Sequence, residues 1–337
     1  MTLLGSLGLL GASLATLGSN AGLYAVRTAG LPAHEIYGEE DFDAMLALPK
    51  RTVRTEDGVE LAVREVGSAL APLTIVFVHG YCLRMQSWHL QMRHLQERWG
   101  KDVRMVFYDQ RGHGESGAPR SKSCTIAQLG RDLGTVIDTV APTGPVVVVG
   151  HSMGGMTTIA LAAQRPELFD ERIVGVGLLA TPAAGLTKTG IGRNLENPVI
   201  DGFRHLARTA PGFVQYTRGA AKAIIAPILR AASYGTVVSP KLVEFSDRML
   251  AETSVLTIVN FLRTLELHDE SAALPVLGRV PALVLCGDAD MIIPFSGSEE
   301  LAAALPDVEL KRGRGAGHLV QLEFPAVVVG ALDRLVP

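Results

Sequence analysis

Ser152 stands in the run Gly150-His151-Ser152-Met153-Gly154, directly behind the four valines Val146 to Val149. A serine hydroxyl becomes a nucleophile toward acyl carbon when a tight turn lifts it out of the chain beside a group that takes its proton. The flanking glycines permit such a turn, and Met153 to Gln164 reads as a helix whose N-terminus is aimed at the hydroxyl. An ordinary glycine-rich turn between a strand and a helix would look the same, so the chemistry depends on a base, an acid and an oxyanion site elsewhere. His318 follows Gly315-Ala316-Gly317 in a loop just after the last expected strand, which makes it the candidate base. The loop one strand earlier offers two acids, Asp288 and Asp290, and no Asp or Glu lies between Glu171 and Glu196 to compete with them. The order is then serine, acid, histidine. The oxyanion would be held by two backbone N–H groups: that of Met153 behind the serine, and that of Tyr81 in the turn His79-Gly80-Tyr81-Cys82 that ends an early strand.

The elements that must position these residues alternate between strand and helix. Arg51 to Arg54, the turn Asp57-Gly58 and Val59 to Val66 read as a hairpin. Leu73 to His79, Val103 to Tyr108, Pro145 to Gly150, Ile173 to Ala180, Ala282 to Cys286 and Val308 to Lys311 read as strands. Helical spacing covers Trp88 to Trp99, Ile126 to Val140, Met153 to Gln164, Ser296 to Leu305 and Phe324 to Leu335. Short apolar runs such as Val146 to Val149 belong to parallel strands buried on both faces. His79 is expected to brace its turn through hydrogen bonds, and the loop Asp109 to Ser116 to form a hydrogen-bonded support beside the site; its spacing matches neither a phosphate loop nor a metal triad.

From Pro182 to about Arg279 the alternation stops and helix-like stretches such as Gly219 to Ser233 and Ser254 to Leu267 take over. The expected organisation is therefore an N-terminal apolar segment and linker over 1–49, a core over 50–181 and 280–337, and a helical cap over 182–279. The cap's apolar content, including Phe213, Ile224, Ile225, Ile228, Leu229, Val255, Ile258 and Phe261, should form mostly a small core of its own, with some of it lining a pocket, which points to a substrate with an apolar part. His205 and His268 are expected on the cap surface.

The chain has 337 residues, a net charge of -3 and 47% hydrophobic residues. That fits a core-rich globular enzyme with one insertion, and the absence of a long basic block argues against nucleic acid as a partner. Cys82, Cys124 and Cys286 are odd in number and far apart, so they imply neither a disulfide framework nor a zinc site. No motif calls for a metal, nucleotide or other cofactor. Residues 2–26 carry no charge and are long enough to cross a bilayer as a helix. A membrane anchor, a cleaved signal peptide and a soluble helix covering an apolar surface are all compatible with them, which gives a membrane-associated or cell-envelope location as the first expectation and a cytoplasmic one as the alternative.

Taken together, His79-Gly80, Asp109-x-Arg111-Gly112-x-Gly114-x-Ser116, Gly150-His151-Ser152-Met153-Gly154-Gly155, Gly287-x-x-Asp290 and Gly317-His318 resemble the α/β-hydrolase superfamily from about Arg51 to the C-terminus. The resemblance implies an eight-stranded, mostly parallel sheet with helices on both faces and a helical cap after the sixth strand. It also implies Ser152 as nucleophile, His318 as base, Asp290 as the acid that orients it, and Tyr81 and Met153 as oxyanion donors. Dehalogenases and epoxide hydrolases of this superfamily present Asp at the elbow, so Ser152 excludes both. The expected activity is hydrolysis of carboxylic esters with an apolar acyl or alcohol part. Cofactor-free haloperoxidase or perhydrolase, thioesterase, carbon–carbon bond hydrolase and a binding protein without catalysis are the alternatives. Cys82 stands where haloperoxidase relatives often carry Pro, which favours hydrolysis.

Overall fold

The computed structural model describes Tyr37 and residues 39–186 and 232–336. Residues 2–26, His205 and the apolar cap residues Phe213, Ile224, Ile225, Ile228 and Leu229 lie outside the described residues. Eight strands form one sheet: β1 (Arg51–Arg54), β2 (Glu60–Val66), β3 (Leu73–Val78), β4 (Val103–Tyr108), β5 (Val146–His151), β6 (Ile173–Leu179), β7 (Ala282–Gly287) and β8 (Val308–Gly313). Their order is β1-β2-β4-β3-β5-β6-β7-β8. β1 and β2 run antiparallel to their neighbours and the other strands are parallel. As expected from their uninterrupted apolar runs, the interior strands β3, β5 and β7 are buried along their whole length. The edge strand β8 alternates toward solvent and carries Glu309, Lys311 and Arg312, charges that discourage further strand pairing.

Side chains alternate across the sheet and build a core on each face. Val76, Val78, Val146 and Val148 meet the helices α2 (Ile126–Val140) and α3 (Met153–Gln164) on one face. Ile75, Phe77, Val147 and Val149 meet α1 (His89–Trp99) and the C-terminal helix on the other. Trp88 ends a 3-10 turn, Met85–Trp88, so α1 begins one residue later than its spacing suggests.

Between β6 and β7 the chain leaves the sheet, and the described part of this excursion is helical, with α4 (Pro240–Glu252) and α5 (Val255–Glu266). Both begin on a serine cap: Ser239 Oγ accepts from the N–H of Leu242 and Ser254 Oγ from that of Thr257. The longer helices that follow in the core are α6 (Phe295–Ala303) and α7 (Pro325–Leu332). His268 is not on the surface. It is 5% exposed and its Nε2 donates to the Pro182 carbonyl at 3.2 Å. The reason is its place at the junction, where Asp269 bridges Ala184 and the Glu270 N–H donates to the Ala183 carbonyl, sewing the two ends of the excursion together over the ring. Among the described residues no helix is long and apolar enough to cross a membrane.

Candidate active site

Ser152 follows β5 and caps α3 with φ 51° and ψ −119°, a conformation costly for any residue with a side chain. The glycines around it are required by space: a Cβ on Gly150 would fall 2.4 Å from the Gly154 carbonyl oxygen, and one on Gly154 2.1 Å from that of Val78. The turn is tied down where the Ser152 N–H donates to the Leu179 carbonyl and Thr181 Oγ1 donates to the Ser152 carbonyl, both at 2.8 Å. Met153 is the first residue of α3, a position whose N–H has no partner within the helix.

The loops after β7 and β8 bring Asp290 and His318 together. His318 Nδ1 lies 2.8 Å from Asp290 Oδ2, so Nδ1–H donates to the carboxylate and the neutral ring keeps its free lone pair on Nε2. The other carboxylate oxygen accepts from the N–H groups of Ile292 (2.8 Å) and Ile293 (2.9 Å). The rival acid Asp288 turns away from the His318 ring and accepts from the Gly315 N–H, in the loop after β8, at 2.6 Å. Cys286, the penultimate residue of β7, holds its thiol 3.7 Å from Asp290 Oδ2, and burial pushes that thiol up, away from any thiolate chemistry.

Ser152, His318 and Tyr81 line one cavity of about 210 Å³, whose walls are otherwise mainly Met156, Leu186, Leu250, Leu265, Ile292 and Ile293. Val255 and Phe261 are buried without lining it. The Tyr81 phenol leaves the turn toward α5 and donates to the Ile258 carbonyl at 2.5 Å. Beneath that turn, His79 is fully buried; its Nε2 accepts from the Gln110 N–H (2.9 Å) and its Nδ1 lies 2.7 Å from the Gly80 carbonyl. Burial holds its pKa well below that of a free imidazole, as a bracing neutral ring requires. Asp109 accepts from the N–H groups of Met85 (2.7 Å) and Glu115 (2.8 Å), and burial pushes it up to about 6. Arg111 is buried and clamps Asp132 with two bonds of 2.5 and 2.6 Å. The loop from Asp109 to Ser116 is therefore a hydrogen-bonded support. Among the described residues no three His, Cys, Asp or Glu side chains converge as metal ligands.

Two residues near the site carry contacts that the sequence did not announce. His151 Nε2 donates to the His318 carbonyl at 2.9 Å, and burial followed by the neighbouring His318 lowers its pKa to about 3. Its place beside Ser152 in the motif was the available signal. Glu323, just before the last helix, accepts from the Gly317 N–H at 2.7 Å, and nothing in its local sequence marks it.

A strand order beginning with an antiparallel pair and a serine turn after the fifth strand defines an α/β architecture with its site at the strands' C-terminal edge. The model of the alpha/beta hydrolase family matches residues 75–331, and the chain belongs to that family. It is 28% identical over 270 residues to the AB hydrolase superfamily protein YisY of Bacillus subtilis, covering 79% of this chain and 91% of that protein. It is 26% identical over 262 residues to the monoacylglycerol lipase of Mycolicibacterium smegmatis, covering 73% and 81%. A thermophilic esterase from Thermogutta terrifontis shares the fold with a TM-score of 0.66 at 23% identity, over 85% of this chain and 97% of that one.

Proposed function

We propose that the protein is a serine hydrolase that cleaves carboxylic esters with an apolar acyl or alcohol part through an acyl-enzyme on Ser152. The observation that carries this reading is that Ser152, on its strained turn, shares an apolar cavity with an imidazole whose Nδ1 is engaged by Asp290. His318 Nε2 takes the Ser152 proton as Oγ attacks the acyl carbon, and the N–H groups of Tyr81 and Met153 hold the resulting oxyanion. Collapse expels the alcohol, which receives the proton from His318. Water, deprotonated by the same ring, then releases the acid. Asp290 keeps Nδ1 protonated and stabilises the imidazolium formed in each half-reaction. Residues 182–279 act as the cap that shapes the acyl pocket over a core of 50–181 and 280–337.

The names of related proteins, a monoacylglycerol lipase and an esterase, support ester hydrolysis as the class. The test is labelling by an alkyl fluorophosphonate alongside hydrolysis of an aryl ester. The wild type should label on Ser152 and turn over, while folded Ser152→Ala should do neither. A Ser152→Ala protein that hydrolyses the ester at the wild-type rate sinks the assignment.

A further inference from the structure

We propose that Glu323 is a positioning residue that pins the segment 233–236, the part of the helical excursion just ahead of α4, to the loop that presents His318. The inference rests on the esterase reading for its catalytic consequence, but its geometry stands apart from it.

The Glu323 carboxylate accepts four hydrogen bonds from two separate stretches of chain. Oε1 takes the Thr236 N–H and the Thr236 hydroxyl, both at 2.5 Å. Oε2 takes the Gly235 N–H at 3.0 Å and the Gly317 N–H at 2.7 Å. The residue on the far side of His318 is held by the same segment, since the Leu319 N–H donates to the Ser233 carbonyl at 2.8 Å. With the His318 carbonyl bound by His151, the backbone is anchored before, at and after the imidazole. The two stretches touch backbone to backbone: a Cβ on Gly235 would lie 2.1 Å from the Gly315 carbonyl oxygen, and one on Gly317 2.5 Å from the Gly235 nitrogen. Ser233 also lines the cavity beside Ser152. The substrate-facing excursion and the proton-transferring ring therefore share one carboxylate, and a shift of either stretch against the other must break charge-assisted bonds.

A glutamine at 323 presents a single acceptor oxygen and an NH2 that opposes two of the four donors, so Glu323→Gln loosens the pin with little change in size. Sub-ångström displacement of His318 should lower kcat on a short aryl ester, and the rate of fluorophosphonate labelling, by between about tenfold and a hundredfold, while KM stays nearly unchanged. Thr236→Val, which loses only the hydroxyl, should show a smaller loss of the same kind, and Thr236→Ser should match the wild type. Amide hydrogen exchange should rise together in 233–236 and 315–319 of Glu323→Gln. A variant that melts at a lower temperature but keeps wild-type kcat well below its melting point overturns the proposal, as does faster exchange in only one stretch. If Glu323→Gln does not fold, the Thr236 pair decides by the same readouts. If the wild type fails to label and to hydrolyse, it is the esterase reading that falls, and the exchange measurement still decides the pin.

Discussion

The Asp290 carboxylate meets the His318 ring with one oxygen, at 2.8 Å from Nδ1, and is held by the backbone of Ile292 and Ile293 through the other. The acid is thus oriented independently of the ring it orients. An asparagine here can offer its oxygen to only one side, and with its NH2 toward Nδ1 it would favour the tautomer that cannot take the serine proton. Asp290→Asn is expected to lower kcat by on the order of 10³ to 10⁴ with the fold intact. Asp288→Asn keeps an oxygen that can accept from the Gly315 N–H and should stay close to the wild-type rate. Equal losses in the two variants would overturn the assignment of the acid.

The backbone at Ser152 stores strain that a stability measurement can read. With φ at 51°, a side chain at 152 is penalised whatever its chemistry, and glycine escapes the penalty. Both Ser152→Gly and Ser152→Ala should be inactive, but the glycine variant should unfold at higher denaturant, by about 1 kcal/mol after allowing for its extra freedom when unfolded. An alanine variant at least as stable as the glycine one would show that the turn is not strained.

Tyr81 separates backbone from side-chain roles. Its N–H is the proposed oxyanion donor, whereas its phenol fastens the turn to α5 through the Ile258 carbonyl. Tyr81→Phe keeps the N–H and loses the bond to the Ile258 carbonyl, so stability should fall by about 1 kcal/mol. Turnover of an aryl ester should survive within an order of magnitude. Complete loss of activity in a folded Tyr81→Phe protein would place the phenol itself in the chemistry.

How much of this was written in the sequence depends on how local the controlling physics is. The strands were legible because continuous apolar runs bounded by turns fix both burial and length, and the serine turn because its glycines flank Ser152 within five residues, although the Val78 carbonyl that excludes a side chain at Gly154 comes from a neighbouring strand. His268 was misjudged because its burial is decided by Pro182 and Ala184, more than eighty residues away across the excursion. The start of α1 slipped past Trp88 because the 3-10 turn there is set by Asp109, whose Oδ1 accepts the Met85 N–H. Glu323 was invisible for the same reason, since three of its four donors come from 87 and 88 residues upstream.

His268 also gives a pH prediction whose sign follows from burial. Burial first, opposed by the bond to Pro182, lowers its folded pKa to about 4 from an ordinary value near 6.5. The folded state therefore excludes a proton that the unfolded chain accepts below about 6.5, so this residue's stabilisation is complete above that pH and is lost as pH falls toward 4. Asp109, pushed up to about 6, acts in the opposite sense, because its folded form takes a proton before the unfolded chain does. His268→Gln can keep the donor to Pro182 but does not titrate. Relative to the wild type it should recover about 1.4 kcal/mol per pH unit between pH 6.5 and 4, read by denaturant titration at several pH values. Parallel profiles for the two proteins would show that His268 is not the buried neutral ring that its contacts describe.

The cavity wall makes the last prediction, on the acyl group. Met156, Leu186, Leu265, Ile292 and Ile293 offer apolar surface and few polar partners, so each methylene added to an acyl chain should gain transfer energy of about 0.8 kcal/mol, or roughly fourfold in kcat/KM, until the space of about 210 Å³ is filled. Beyond that length the gain should stop, because a close-packed wall yields only at the cost of strain. Leu262, on α5, also lines the cavity. Leu262→Trp should move the break in the series to shorter chains while leaving the acetyl ester nearly unaffected. A series of aryl esters from acetyl to dodecanoyl, measured for both proteins, checks this. If kcat/KM is flat with chain length in the wild type, the cavity is not the acyl site, even if Ser152 remains the nucleophile.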